Sequence, residues 1–232
     1  MTMVARIGYL LLLCCGSGLC IPAQSATLSP MVSYLRQQQL RDQLAQTYGS
    51  AALKRIDQLI DMLQHQESSN DRRKLESVNN YFNQLIYETD RRLWGKDDYW
   101  AKPLEFIGAH AGDCEDYSLG KYYTLMELGL KEEQLRLVYV KAVTYNQFHM
   151  VLAYYPTLKS EPLILDNIKA AIYPASRRPD LLPVYSFNAR NLWVMNQRKE
   201  GQLIGNTERL TLWSDLRNRI GDNNFKVPRT KL

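Results

Sequence analysis

The apolar residues change period once, near Gly129, and that single change limits the architectures open to the chain. Before it, Tyr34, Leu35, Leu40 and Leu44 recur at helical spacing, as do Leu53, Ile56, Leu59, Ile60 and Leu63, then Val78, Tyr81, Phe82, Leu85 and Ile86. Tyr48-Gly49-Ser50 and Glu67-Ser68-Ser69-Asn70-Asp71 interrupt these runs, so residues 28–95 predict three helices. After Gly129, the segments LRLVYVKAV (135–143), FHMVLAYYP (148–156) and PLILDNI (162–168) are β-branched and aromatic. With a turn at Tyr145-Asn146-Gln147 they predict an antiparallel meander, and PVYSFN and LWVMN, around 183–196, predict further strands. Leu212 to Ile220 predicts a short closing helix, and the tail from Gly221 to Leu232 a loosely held end. Helices first and sheet second define an α+β fold.

The first residues, MTMVARIGYLLLLCCGSGLCIPAQSA, combine one Arg6, an apolar run from Ile7 to Leu13 and small residues at Ala23, Ser25 and Ala26. This reads as a secretory signal peptide over 1–25, followed by one domain over 26–232. Its helical lobe is expected at about 28–95, and the helix and sheet bearing the chemistry at about 96–220. Removal of the signal takes Cys14, Cys15 and Cys20 with it and leaves Cys114 without an intramolecular partner. A lone thiol in an oxidising compartment is buried, paired with another chain, or kept for its reactivity. The 29 Lys and Arg against 24 Asp and Glu are dispersed, in pairs such as Arg72-Arg73 and Arg177-Arg178, which does not imply nucleic acid.

The stretch HAGDCEDYSLGKYYTL (110–125) sets Cys114 among Asp113, Glu115 and Asp116 at a predicted helix start. Asp113 suits the N-cap, and Leu119, Tyr122, Leu125, Met126 and Leu128 supply a buried side. A helix N-terminus favours a thiolate, whereas neighbouring carboxylates oppose it. A cysteine nucleophile also needs a base and a group that orients the base. His65 reads as solvated surface, His110 as a rival base, and His149 as a strand residue on the face of Val151, Ala153 and Tyr155. Asp166 ends the apolar run PLIL, a costly burial without a partner, and pairing of the two strands would bring it beside His149. Asp113, Glu115 and Asp116, with Asp97 and Asp98, offer the surplus of oxygen ligands that Ca²⁺ requires. The Cys114 N–H is the natural oxyanion donor, with Trp100 a candidate second.

The run WAKPLEFIGAHAGDCEDYSLGKYYTL (100–125), with FHMVLAYYP and LILDNI after it, resembles the bacterial transglutaminase-like cysteine proteinases of the LapG type over roughly residues 75–200. The resemblance implies a papain/transglutaminase-like core with an N-terminal helical lobe and an antiparallel sheet. It also implies a catalytic triad of Cys114, His149 and Asp166 and a Ca²⁺ site at Asp113 and Glu115. Proteases of this type act in the periplasm on the N-terminal region of a large surface adhesin. They cut after a di-alanine, which frees the adhesin and promotes biofilm dispersal, under an inner-membrane cyclic di-GMP receptor of the LapD type. Neither nucleic acid nor stable membrane insertion after signal cleavage is expected. An acyltransferase or amidase using the same residues, or a non-catalytic periplasmic binding module, is the alternative.

Overall fold

In the computed structural model, which describes residues 29–196 and 199–230, four helices precede the first strand: α1 (Pro30–Leu35), α2 (Gln38–Tyr48), α3 (Ser50–Gln66) and α4 (Asp71–Phe82). The predicted signal peptide lies outside the described residues. The Ser29 and Asn70 side chains accept from the backbone N–H groups of Val32 and Arg73 and so start α1 and α4. Gly49, at φ 85°, lets α2 end and α3 begin within one residue. The chain turns at Arg36 and Gln37, so the first predicted helix is in fact two. The apolar stripes meet, burying Leu35, Leu44, Ile56, Leu75, Val78 and Phe82 in one core.

Next come β1 (Ile86–Tyr87), α5 (Asp90–Leu93), α6 (Pro103–Ala109), β2 (Ala111–Gly112) and α7 (Cys114–Glu127). The 94–103 loop therefore does not lead directly into the Cys114 helix; α6 and β2 intervene, and β1 pairs with β2 in parallel. The remaining strands are β3 (Leu135–Ala142), β4 (Gln147–Tyr154), β5 (Leu163–Leu165), β6 (Tyr173–Pro174), β7 (Leu181–Phe187), β8 (Asn191–Asn196) and β9 (Lys199–Asn206), followed by α8 (Thr211–Arg219). They form an antiparallel sheet in the order β6-β5-β4-β3-β7-β8-β9. The meander holds for β3 to β6, but the chain then crosses back so that β7 pairs with the free side of β3. Strand β9 escaped prediction because Gly201, Gly205, Lys199 and Glu200 are poor strand formers.

Helix α7 packs against β4 and β3, and Leu137, Met150, Leu152 and Leu165 share its core. Their neighbours Val138, Val140, Val151, Ala153 and Ile164 form a second apolar layer, as strand alternation requires. The tail is tied down, contrary to expectation. Lys102 Nζ donates to Asp222 Oδ1 (2.6 Å) and Asn224 O (2.6 Å), and the Lys226 N–H donates to Glu105 Oε1 (2.8 Å). Lys102 and Glu105 are buried charges, and the tail supplies the partners that their burial demands.

Gly120 sits mid-helix in α7, where an added Cβ would lie 2.5 Å from Cε1 of the fully buried Phe82. Alanine would gain about 1 kcal/mol in helix propensity, whereas overpacking a closed core costs about 1–3 kcal/mol. Phe82 is also stacked on Phe106, which leaves its ring little room to yield. Gly120→Ala is therefore expected to lower the melting temperature and the denaturant midpoint, and a rise in either would contradict this packing.

Candidate active site

The start of α7 is held from three directions. Ser118 Oγ donates to Met150 O (3.0 Å), docking the helix on β4 one residue past His149. Tyr117 OH donates to Leu85 O at the end of the helical lobe, and the Ala101 N–H donates to Asp116 Oδ1 (2.8 Å). Gly112 is needed for this approach, since a Cβ there would come within 2.4 Å of Asp116 Oδ2. Asp113 occupies the N-cap position, yet its side chain makes no capping bond. Cys114 is buried, and its thiol donates to Glu115 Oε2 (2.8 Å). Burial first, then the charges of Glu115 and Asp113, push the thiol well above its ordinary pKa and favour its protonated form.

On the sheet, His149 Nε2 and Asp166 Oδ1 are 2.8 Å apart, with 2% and 0% of their side chains exposed. The Ile168 N–H also donates to Oδ1 (3.0 Å), and Arg178 Nη2 donates to Oδ2 (2.6 Å). Burial alone would raise the Asp166 carboxyl, but its bond to and charge attraction with His149, with help from Ile168 and Arg178, bring it well below the usual range. With Nε2 engaged, Nδ1 is the ring nitrogen left for proton exchange. Arg178 was missed because it reads as half of a surface pair, twelve residues beyond Asp166 and without a spacing signal.

The other two histidines are held differently. His110 caps α6 in the left-handed region (φ 64°), where burial and Arg55 lower its pKa. His65 is exposed, its Nδ1 against Asp61 O on its own helix. Trp100 stacks on Phe187 in the core at 5.9 Å, and its indole edge approaches Asp98.

Behind the thiol, one oxygen each of Asp90, Asp113 and Asp116 lie within 4.8 Å of one another. Asp90 Oδ1, Asp113 Oδ1 and Asp116 Oδ2 are buried without a hydrogen-bond donor among the described residues. Burial, and then repulsion among the neighbouring carboxylates, raises Asp113 and Asp116 well above the usual range. Burial pushes Asp90 up to about 7, against the pull of the Tyr99 N–H and with a push from Glu115. Three converging aspartates, each with one buried oxygen that lacks a protein donor, fit a divalent cation. Glu115, expected beside Asp113 as a ligand, accepts from the Cys114 thiol and also acts on the Asp113 carboxyl, and Asp97 is an exposed partner of Arg91. Asp90 was missed because it reads as an ordinary first-turn acid of α5, far from Asp113 in sequence.

A cysteine at the N-terminus of a central helix, packed on an antiparallel sheet that carries a buried His–Asp pair, defines a papain/transglutaminase-like cysteine protease. The profile of the family described as bacterial transglutaminase-like cysteine proteinase, BTLCP, matches residues 55–199, and the chain belongs to that family. Among solved structures it is similar to Legionella pneumophila LapG. The EGTA-treated form is 43% identical with a TM-score of 0.69, over 78% of this chain and 96% of that one. The calcium-bound form is 42% identical with a TM-score of 0.68, over 82% of this chain and 98% of that one. No curated protein matches the chain.

The acidic cluster predicts a pH dependence for the metal-free protein. A carboxyl raised by folding contributes stability that is present below its unfolded pKa and lost as pH rises through its folded value, here about 7 for Asp90. The melting temperature in EGTA should therefore fall from about pH 5 to about pH 8, and Asp90→Asn should flatten that fall. A melting temperature that climbs over this interval would contradict the cluster's electrostatics.

Proposed function

We propose that the protein is a calcium-dependent periplasmic cysteine endopeptidase with Cys114 as nucleophile, His149 as general base and acid, and Asp166 as the group that orients His149. The observation that carries this reading is the buried 2.8 Å bond between His149 on β4 and Asp166 just past β5, with β4 packed against the helix that begins with Cys114. In the first step His149 Nδ1 takes the thiol proton while Sγ attacks the scissile carbonyl. Asp166 stabilises the imidazolium, and the Cys114 N–H at the helix start receives the developing oxyanion. Collapse of the tetrahedral species breaks the C–N bond as His149 protonates the leaving amine. Water then hydrolyses the thioester with His149 again as base.

Asp90, Asp113 and Asp116 would hold Ca²⁺, in keeping with their unpartnered oxygens and with the calcium-bound form of Legionella pneumophila LapG. A bound cation would offset the negative charge that keeps the thiol neutral. The substrate we propose is the N-terminal region of a large surface adhesin, cut after a di-alanine, so that the adhesin is released and the biofilm disperses. An inner-membrane cyclic di-GMP receptor would restrain the enzyme. The signal-like first 25 residues support a periplasmic site.

Two experiments test this reading. Cys114→Ala and His149→Ala should abolish cleavage of the adhesin's N-terminal region, Asp166→Asn should lose most of the rate, and His110→Ala should retain it; activity in folded Cys114→Ala would remove the mechanism. EGTA should stop cleavage and lower the melting temperature, and Ca²⁺ should restore both. Mg²⁺ should restore neither, because the smaller ion demands tighter octahedral geometry and sheds water reluctantly. Cleavage that survives thorough chelation would sever calcium from the activity, and mass spectrometry of the products locates the cut.

A further inference from the structure

Asp166 is held by more than its histidine. Its two oxygens have separate partners: Oδ1 accepts from His149 and Ile168, and Oδ2 accepts from Arg178 Nη2 at 2.6 Å. Arg178 is itself only 3% exposed and sits just after a 3-10 turn (Ala175–Arg177) in the loop that joins β6 to β7. The same guanidinium is forked onto Asp180, Nε to Oδ1 at 3.1 Å and Nη2 to Oδ2 at 3.0 Å. Asp180 in turn meets Lys169 at 3.1 Å near the surface. An ion chain thus runs from solvent through Lys169, Asp180 and Arg178 to Asp166 and His149. From the other side, buried Lys121 of α7 faces Asp166, whose charge opposes the burial that lowers the Lys121 pKa to about 7. The Asn83 amide, donating to Asp166 O at 2.9 Å, completes the surroundings.

A carboxylate that orients an imidazole must not rotate, and hydrogen bonds to one oxygen alone would leave that rotation free. We infer that Arg178 is a positioning residue for the reaction: its guanidinium fixes the outer oxygen of Asp166, so that the inner oxygen keeps His149 in the tautomer and orientation that serve Cys114. This rests on the Cys114–His149–Asp166 reading given above. Arg178 acts through Asp166 and touches no reacting atom. Its planar fork can hold Asp166 and Asp180 together, which a flexible uncharged side chain cannot do.

The test uses Cys114 as its own reporter, since it is the sole cysteine after residue 20. Alkylation by iodoacetamide at saturating Ca²⁺ is followed in the mature chain alongside cleavage, and the downfield proton of the His149–Asp166 bond is followed by NMR. Arg178→Met should slow alkylation and kcat by at least about tenfold, a part of the roughly 10²–10⁴-fold that positioned acid–base groups contribute, with KM little changed and the downfield proton broadened. Arg178→Lys, which keeps a buried cationic donor, should recover most of the rate and the proton. Parent-like rates in Arg178→Met, or equal losses in both variants with the proton intact, would overturn the inference. Should Arg178→Met fail to fold, Asp180→Asn frees one side of the fork; a loss of a few fold with a broadened proton supports the proposal, and parent behaviour overturns it. His149→Ala sets the floor: parent-rate alkylation there would overturn the triad reading itself, whereas slow alkylation there with parent rates in Arg178→Met would overturn only the role of Arg178.

Discussion

Helix α7 is buried along almost its whole length, so the polar groups of its first two turns must find partners inside the protein. Ser118 finds the Met150 carbonyl on β4, Tyr117 the Leu85 carbonyl beyond α4, and Asp116 the Ala101 amide of the loop before α6. These bonds draw the helical lobe, the loop and the sheet to one point. Gly112 and Gly120 are the places where the approach is too close for a side chain, against Asp116 and Phe82 respectively. Cys114 stands at that point because it opens the helix.

Two opposite electrostatic environments meet there. On the helix side Asp90 and Asp116 are buried and Asp113 half-buried, with no cationic side chain bonded to them among the described residues, and all three carboxyls are raised. On the sheet side Asp166 is buried at least as deeply, yet its carboxyl is lowered, because His149 and Arg178 are bonded to it. Burial is common to both, and the nearest cation decides the direction. The thiol between them takes its character from the helix side, held neutral by burial, Glu115 and Asp113. A divalent ion among the three aspartates would reverse that influence while leaving the His149–Asp166 bond untouched, which is the physical basis for proposing calcium dependence.

The same logic explains the tail. Read as a sequence, residues 221–232 are polar and lack periodicity, which suggests a loose end. In the structure Lys102 is enclosed, and its ammonium is bonded to Asp222 and Asn224, while Glu105 accepts from Lys226. A charge buried by the packing of α6 recruits a distant segment, and no local pattern announces this.

What the sequence determined by itself is what depends on neighbours along the chain. The shift from helical to strand period set the order of helices and sheet, and a helix start at Asp113-Cys114 followed from local chemistry. His149 on a strand and Asp166 at the end of the next apolar run could be placed near each other because short antiparallel strands pair through a local loop; the structure sets Asp166 just past the Leu152–Leu165 pair. Tertiary structure alone decided which charges share a buried site. Asp90 joins Asp113 and Asp116 across an intervening loop and α6, Arg178 reaches Asp166 across a turn, and Glu115 bonds to the thiol. Burial and charge pairing act through space and carry no period along the chain, so only the packed fold could reveal them.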